Sequence, residues 1–213
     1  GQGVKIETNR GTISSQACIL TLSTGVLASG KVKFIPTLPM EKYDSFSGIS
    51  MGIYNHIALQ FKKDFFPHKT DGYIYYKLNN QKTSFPRGVA GLTNSSGSNL
   101  SYFDAGGEFA RELEKAGEEA SIDFVLGELK SIFGSKVDKH LIKAHATSWA
   151  SNPFTLGSYA SAEPGSFHLR KVLSQSVGDR IFTAGEATAE EWATVAGATR
   201  SGLRAAKEVI KIL

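Results

Sequence analysis

Cysteine is almost missing from this chain. Cys18 is the only one among 213 residues, which excludes an intrachain disulfide and a metal cluster built on cysteines. It lies in an apolar run, Ala17 to Leu22, where buried packing is its expected role. Long hydrophobic runs are missing too. No stretch reaches the roughly 18 apolar residues of a membrane-spanning helix, and no signal-peptide pattern opens the chain at Gly1. A soluble protein is expected, with the cytoplasm favoured. An excess of one charge is also lacking: 24 Lys and Arg face 20 Asp and Glu, a net charge of +4. The basic residues are scattered, so nucleic acid is not implied as a partner. The last absence is a glycine-rich GxGxxG loop after a strand. Gly1-Gln2-Gly3 begins that pattern, but Ile6 breaks it and no strand precedes it.

What is present is ordinary globular material, 41% apolar and 21% charged. The length suits one large domain or two small ones with a sizeable core. Val4, Ile6 and Thr8 alternate with Lys5 and Glu7, and Asn9-Arg10-Gly11 turns the chain toward Ile13, which reads as a hairpin. Ala17 to Leu22 reads as a buried strand and Ser23 to Gly25 as a loop. A short helix is expected to start near Pro39. Met51 to Phe61 is the clearest strand, with Ile53, Asn55, Ile57, Leu59 and Phe61 on one face and Tyr54, His56, Ala58 and Gln60 on the other. Further strands are expected at Tyr73 to Leu78, Val89 to Thr93 and Leu100 to Asp104. Helices are expected at Glu108 to Lys115, Glu118 to Phe133 and Phe167 to Ser174. His140 to Trp149 alternates as a strand, which puts His140 and His145 on opposite faces, a poor metal pair, and no metal is expected.

The closing segment, Asp179 to Leu213, holds the strongest signal. A short strand, Ile181 to Ala184, runs into Gly185-Glu186, then a loop, then a long helix with a small-residue start. That layout sets backbone amides and a positive helix end beside something anionic. The helix is expected to bury Val195, Ala198, Gly202, Ala206, Val209 and Leu213. The closing strand and helix suit an α/β layer that packs with the opening strands, leaving the middle as an inserted domain.

Four segments, taken in order, resemble a known family: Ile19 to Pro39 (ILTLSTGVLASGKVKFIPTLP), Met51 to Phe61 (MGIYNHIALQF), Ser148 to Gly165 (SWASNPFTLGSYASAEPG) and the closing AGEATAEEWATVAGA. They are similar to the C-terminal half of flavin-dependent amine oxidases, which include monoamine oxidases, polyamine oxidases and the flavin histone lysine demethylases. The chain departs from the family at Ser23, where proline is usual. The resemblance implies an α+β and α/β fold: a substrate-binding domain with a mixed sheet flanked by helices, plus the C-terminal part of a flavin-binding α/β domain. It divides the chain into residues 1–35 and 178–213 as parts of the FAD-binding lobe and residues 36–177 as the substrate-binding lobe.

The resemblance also implies roles. Gly185 and Glu186 match positions that contact the flavin's phosphate and ribityl region. Thr194 and Val195 match the helix start that meets its pyrimidine edge, where negative charge develops on reduction. Tyr159 matches an aromatic residue lining the amine's approach. Trp149 and Phe154 match two positions, often tryptophan, near the flavin ring. Ser158 stands where monoamine oxidases carry a flavin-bonding cysteine, and serine cannot form that thioether, so FAD bound here is expected to be noncovalent. His56 stands where the family has a lysine that holds a water near the flavin; it reads as a water-holder, a specialised substitute or a sign of altered chemistry. From the residues alone, each has a plainer reading: Gly185 as a strand end, Tyr159, Trp149 and Phe154 as packing aromatics, His56 as a structural histidine.

The implied activity is oxidation of a small-molecule amine to an imine, with oxygen reduced to hydrogen peroxide. Alternatives are a non-catalytic binding or scaffold domain derived from the fold, an amino acid oxidase, for which Arg87 cannot be assigned to a carboxylate from sequence, and a desaturase-like use of the flavin. Without GxGxxG, the chain alone is expected to be inactive and to bind FAD weakly or not at all. An N-terminal FAD-binding half, in the same protein or a companion chain, would then be required.

Overall fold

The computed structural model describes residues 3–62, 65–75 and 87–213. In chain order the strands and helices are β1 (Val4–Thr8), β2 (Gly11–Ser15), β3 (Cys18–Leu20), α1 (Thr24–Ala28), α2 (Met40–Gly48), β4 (Ile49–Gly52), β5 (Tyr54–Phe61), β6 (Gly72–Ile74), β7 (Ala90–Thr93), β8 (Leu100–Gly106), α3 (Gly107–Ala116), α4 (Glu118–Phe133), α5 (Lys136–His140), β9 (Leu141–Ala146), β10 (Tyr159–Ala162), α6 (Leu169–Ser174), β11 (Ile181–Thr183) and α7 (Val195–Ile210). They form two compact units, one of Gly1–Gly52 with Pro153–Leu213 and one of Ile53–Asn152. These divisions fall at other residues than the lobes expected from the sequence: residues 36–52 and 153–177 pack with the chain ends. No helix among the described residues is long and apolar enough to cross a membrane.

The first unit, the discontinuous one, contains three pairs of strands. The β1–β2 hairpin has the register Val4↔Ser15 through Thr8↔Gly11. β3 pairs in parallel with β11, Ile181 opposite Cys18 and Thr183 opposite Leu20, so the closing strand does return to the opening one. β4 pairs antiparallel with β10. Leu27, Leu38, Phe46, Ile49, Ala160, Leu173 and Ala187 form one apolar cluster. Phe182, Ala184 and Ala205 form another.

The face of α7 differs from the expected one. Gly197, Ser201 and Ala205 are its buried residues, while Val195 is 86% exposed. The reason is close approach rather than hydrophobicity. A Cβ on Gly197 would stand 2.2 Å from the Glu191 carbonyl oxygen, and the Ser201 hydroxyl bonds both the N–H and the C=O of Gly185. Cys18 is half-buried and burial pushes its thiol pKa up, while its neighbour Ile19 is exposed. β3 is therefore only partly covered. Ser23 opens a helix rather than a loop: its hydroxyl accepts the Val26 N–H as the N-cap of α1.

Among the described residues, the second unit contains a five-stranded antiparallel sheet in the order β6-β7-β8-β5-β9. The alternation read in the sequence holds along β5, where Asn55, Ile57, Leu59 and Phe61 are buried. Ile57, Leu59 and Phe61 pack with Phe103 and Ala105 of β8, Phe109 and Ala110 of α3, Val125, Leu126 and Leu129 of α4, and Val137 of α5. The strand read across Met51 to Phe61 is two strands, β4 and β5, in different units. The strand read from His140 begins one residue later, because His140 ends α5, with its ring Nδ1 2.7 Å from the Lys136 carbonyl. Of the strand expected at Tyr73 to Leu78, β6 ends at Ile74, and residues 76–78, like Gly1 and Gln2, lie outside the described ones.

Candidate active site

A cleft of about 280 Å³ opens within the first unit. Its walls come from four stretches: residues 20–23 with Leu27, Met51, residues 154–155 with 157–158, and residues 183–188 with Leu173. Leu20, Leu22, Leu27, Met51 and Phe154 give it apolar surface. The hydroxyls of Thr21, Ser23, Ser158 and Thr188 add polar groups. Clefts that bind organic ligands combine these two kinds of lining. Of the residues singled out in the sequence, Gly185, Glu186, Ser158 and Phe154 meet here.

Gly185 is the junction between β11 and a short 3-10 turn, Glu186–Thr188. Its φ of +134° is one that a side chain resists, and a Cβ there would meet nothing within 4 Å. Glu186 uses both carboxylate oxygens. One accepts the Ala160 N–H at 2.7 Å and the other the Ala193 N–H at 2.8 Å. The latter bond fixes the turn before α7. Thr194 caps that helix, its hydroxyl accepting the Gly197 N–H at 2.9 Å. In a helix of 16 residues, the first amides have no intrahelical acceptor and the N-terminus carries positive potential. Neither Thr194 nor Val195 lines the cleft, and Val195 is exposed.

Tyr159 begins β10, opposite Gly52 in β4. The Ser158 N–H donates to the Gly52 carbonyl at 2.9 Å. Phe154, which lines the cleft, is 84% exposed. Ser23 joins two walls: its hydroxyl donates to the Thr155 carbonyl at 2.5 Å while capping α1.

His56 and Trp149 belong to the second unit, so Trp149 and Phe154, five positions apart, fall in different units. His56 lies on the sheet face opposite the apolar core. Its Nδ1 is 2.5 Å from the Asp104 carboxylate, directly across the β5–β8 pair. The rings of Tyr54 and Tyr102 meet the imidazole edge-on at 5.5 and 5.2 Å. Asn55, the next residue, is buried and holds the segment carrying Trp149. Its carbonyl oxygen accepts from the Thr147 hydroxyl and the Trp149 N–H, each at 3.2 Å, and its amide donates to Glu114 at 2.8 Å. Glu114 also accepts the N–H groups of Ala150 and Ser151. Burial pushes the Glu114 carboxyl up, but these bonds outweigh it and hold its pKa below the usual range. Arg87, unassigned in the sequence, pairs with Glu112 at 2.5 Å.

Sequence reasoning missed three polar groups that shape the first unit. Lys42, 3% exposed, donates to the carbonyls of Val172, Leu173 and Gln175 at the end of α6, and burial lowers its pKa to about 8. Arg204 donates to the Ser174 and Thr183 carbonyls. Arg170, 4% exposed, donates to the carbonyls of Ala187 and Ala160. A signal existed: Lys42 lies four residues before Phe46, on the buried face of its helix, and Arg170 lies three before Leu173.

Comparison with known proteins agrees with this architecture. Residues 1–210 match the family described as flavin containing amine oxidoreductase. The chain is 33% identical over 218 residues to lysine-specific histone demethylase 1 homolog 1 of rice (Oryza sativa subsp. japonica), covering 98% of this chain and 25% of that protein. It is 31% identical over 221 residues to polyamine oxidase 4 of the same plant, covering 98% of this chain and 42% of that one. Its fold is like that of the cyclohexylamine oxidase of Brevibacterium oxydans, with a TM-score of 0.70 at 16% identity over 99% of this chain and 46% of the other. The chain thus spans a quarter to under half the length of these proteins. With a mixed α/β fold whose sheets are flanked by helices, it belongs to the flavin-containing amine oxidoreductase family.

Proposed function

We propose that this chain is the C-terminal, substrate-binding portion of an FAD-dependent amine oxidase acting on a small-molecule amine. The observation that carries the reading is the cleft of the first unit, which joins Gly185, Glu186, Ser158 and Phe154 from separate segments. Its residues fit a flavin: Gly185 has open space where a side chain would stand, and apolar walls alternate with hydroxyls. When bound, the flavin supplies the acceptor for the hydride lost as the amine becomes an imine, and oxygen takes the electrons as hydrogen peroxide.

The chain's own residues orient and stabilise. Gly185 and Glu186 face the phosphate and ribityl region, and the Thr194-capped start of α7 favours negative charge on the ring edge. Phe154 offers apolar surface to the ring. Ser158 cannot form a thioether, so FAD is held noncovalently. Tyr159 lines the approach of the amine, where an aromatic face attracts a cation by about 0.5–2 kcal/mol. His56, held through Nδ1 by Asp104, presents its other ring nitrogen to a water.

The pyrophosphate and adenosine half of FAD needs a nucleotide-binding partner, supplied as an N-terminal half in the same protein or as a companion chain. Two features support this: the absent GxGxxG, and the parallel pair β3–β11, which has no further strand among the described residues. Parallel strands are normally covered by helices within larger sheets. The test is peroxide release over a panel of amines by the chain combined with such a half, with acid precipitation of the protein to show whether flavin stays in solution. Peroxide formation and free flavin in the supernatant are expected. Flavin retained in the pellet overturns noncovalent binding, and inactivity towards every amine overturns the oxidase reading.

A further inference from the structure

Both backbone groups of Ala160 are taken by side chains. β10 pairs with β4 along one edge, and the N–H and C=O of Ala160 emerge at the other edge. No strand receives them among the described residues. Instead the Ala160 N–H donates to Glu186 at 2.7 Å and its C=O accepts from Arg170 at 3.3 Å. The same two side chains continue into the turn beyond β11. Arg170 donates to the Ala187 carbonyl at 2.9 Å, and Glu186 accepts from the Ala193 N–H at 2.8 Å. The Arg170 guanidinium also lies 5.2 Å from the ring centre of Trp192, within that same turn. Ala160 is fully buried, so neither backbone group has water as a substitute.

We propose that Arg170 is a positioning residue which, with Glu186, clamps the strand carrying Tyr159 to the turn that starts α7. Tyr159 precedes Ala160, and Thr194 follows Ala193. The clamp therefore sets the aromatic wall and the helix N-terminus as one rigid body. The planar, forked guanidinium gives one terminal nitrogen to each carbonyl, Ala187 and Ala160, a fixed geometry that the single nitrogen of a lysine does not reproduce. A carboxylate likewise offers two oxygens to two amides, where an amide side chain offers one. The role assigned to what is positioned rests on the flavin reading above; the clamp itself is tested without flavin.

The experiment is amide hydrogen exchange, followed by NMR on the 213-residue chain, for wild type and for Arg170→Met, Arg170→Lys and Glu186→Gln. Arg170→Met removes the bonds to the Ala160 and Ala187 carbonyls and leaves Glu186 to hold the turn alone, so the Ala160 and Ala193 amides, which bond Glu186, are expected to exchange several-fold faster. The Ala184 amide, which bonds Leu20, keeps its protection, as do amides of the five-stranded sheet. Arg170→Lys is expected to fold and to show the same local pattern. Glu186→Gln is expected to release one of the two amides and keep the other. Wild-type exchange at both amides in Arg170→Lys, or uniform loosening of the whole unit in every variant, overturns the clamp. A separate titration of wild type plus an N-terminal half with FAD reads the flavin assignment, so either idea can fail alone.

Discussion

The second unit buries a continuous apolar cluster beneath its sheet, from Ile57 to Ala146, whereas the first divides its apolar residues between two smaller clusters and also holds the buried charges of Lys42 and Arg170 and the half-buried Arg204. Lys42, Arg170 and Arg204 all donate to main-chain carbonyls there. A buried charge must recover its lost hydration from partners, and removing it leaves those partners unpaired. The two units should therefore fail in different ways, the second by cavities and the first by loss of single polar groups. Each carries one of the chain's two tryptophans, Trp149 in the second and Trp192 in the first, so Trp192→Phe and Trp149→Phe backgrounds report them separately in denaturation experiments.

The largest effect is expected in the apolar core. Phe103 is 1% exposed at the centre of the sheet, and Phe103→Ala should cost about 3–5 kcal/mol in the Trp149 transition. A loss under about 1 kcal/mol there would remove the contrast between the units. Next is Lys42→Met in the first unit, expected to cost about 2–3 kcal/mol through unpaired carbonyls at the end of α6, read by Trp192. Its pH dependence sharpens the comparison. Folding lowers the Lys42 pKa from 10.5 to about 8, so between those values the unfolded chain holds a proton that the folded chain has released. Stability of the first unit should rise with pH across that window, and the rise should vanish in Lys42→Met. A flat profile in wild type contradicts the burial of this charge.

Gly197→Ala places a methyl against the Glu191 carbonyl and should cost about 1–3 kcal/mol by overpacking. Thr194→Ala removes the α7 cap and should cost about 1 kcal/mol. Both are read by Trp192, and both should leave the Trp149 transition unmoved.

Legibility in the sequence follows the same division. The second unit is regular: the alternation of β5 and the bounds of α4 are visible in residue type, because apolar side chains build that core. In the first unit, β11 and its pairing with β3 were readable from a short apolar run near each end. The packed face of α7 was not, because Gly197, Ser201 and Ala205 bury themselves by close approach and hydrogen bonding, which hydrophobic periodicity does not register. Lys42 and Arg170 look like surface residues in the sequence, although each sits at core spacing on its helix. Of the residues singled out in the sequence, Gly185, Glu186, Ser158 and Phe154 line one cleft, while Thr194 and Val195 do not. Asp104, Asn55 and Glu114, which hold His56 and the Trp149 segment, were not legible, because their partners are 36 to 94 positions away.

Flavin retention tests the central claim most directly. The 213-residue chain is passed through gel filtration with FAD, alone and together with an N-terminal nucleotide-binding half, and visible flavin absorbance is followed in the protein peak. The expected result is a colourless chain alone and a yellow complex with the half, its flavin released on acid precipitation. A chain that holds FAD by itself, or a complex that holds none, contradicts the account.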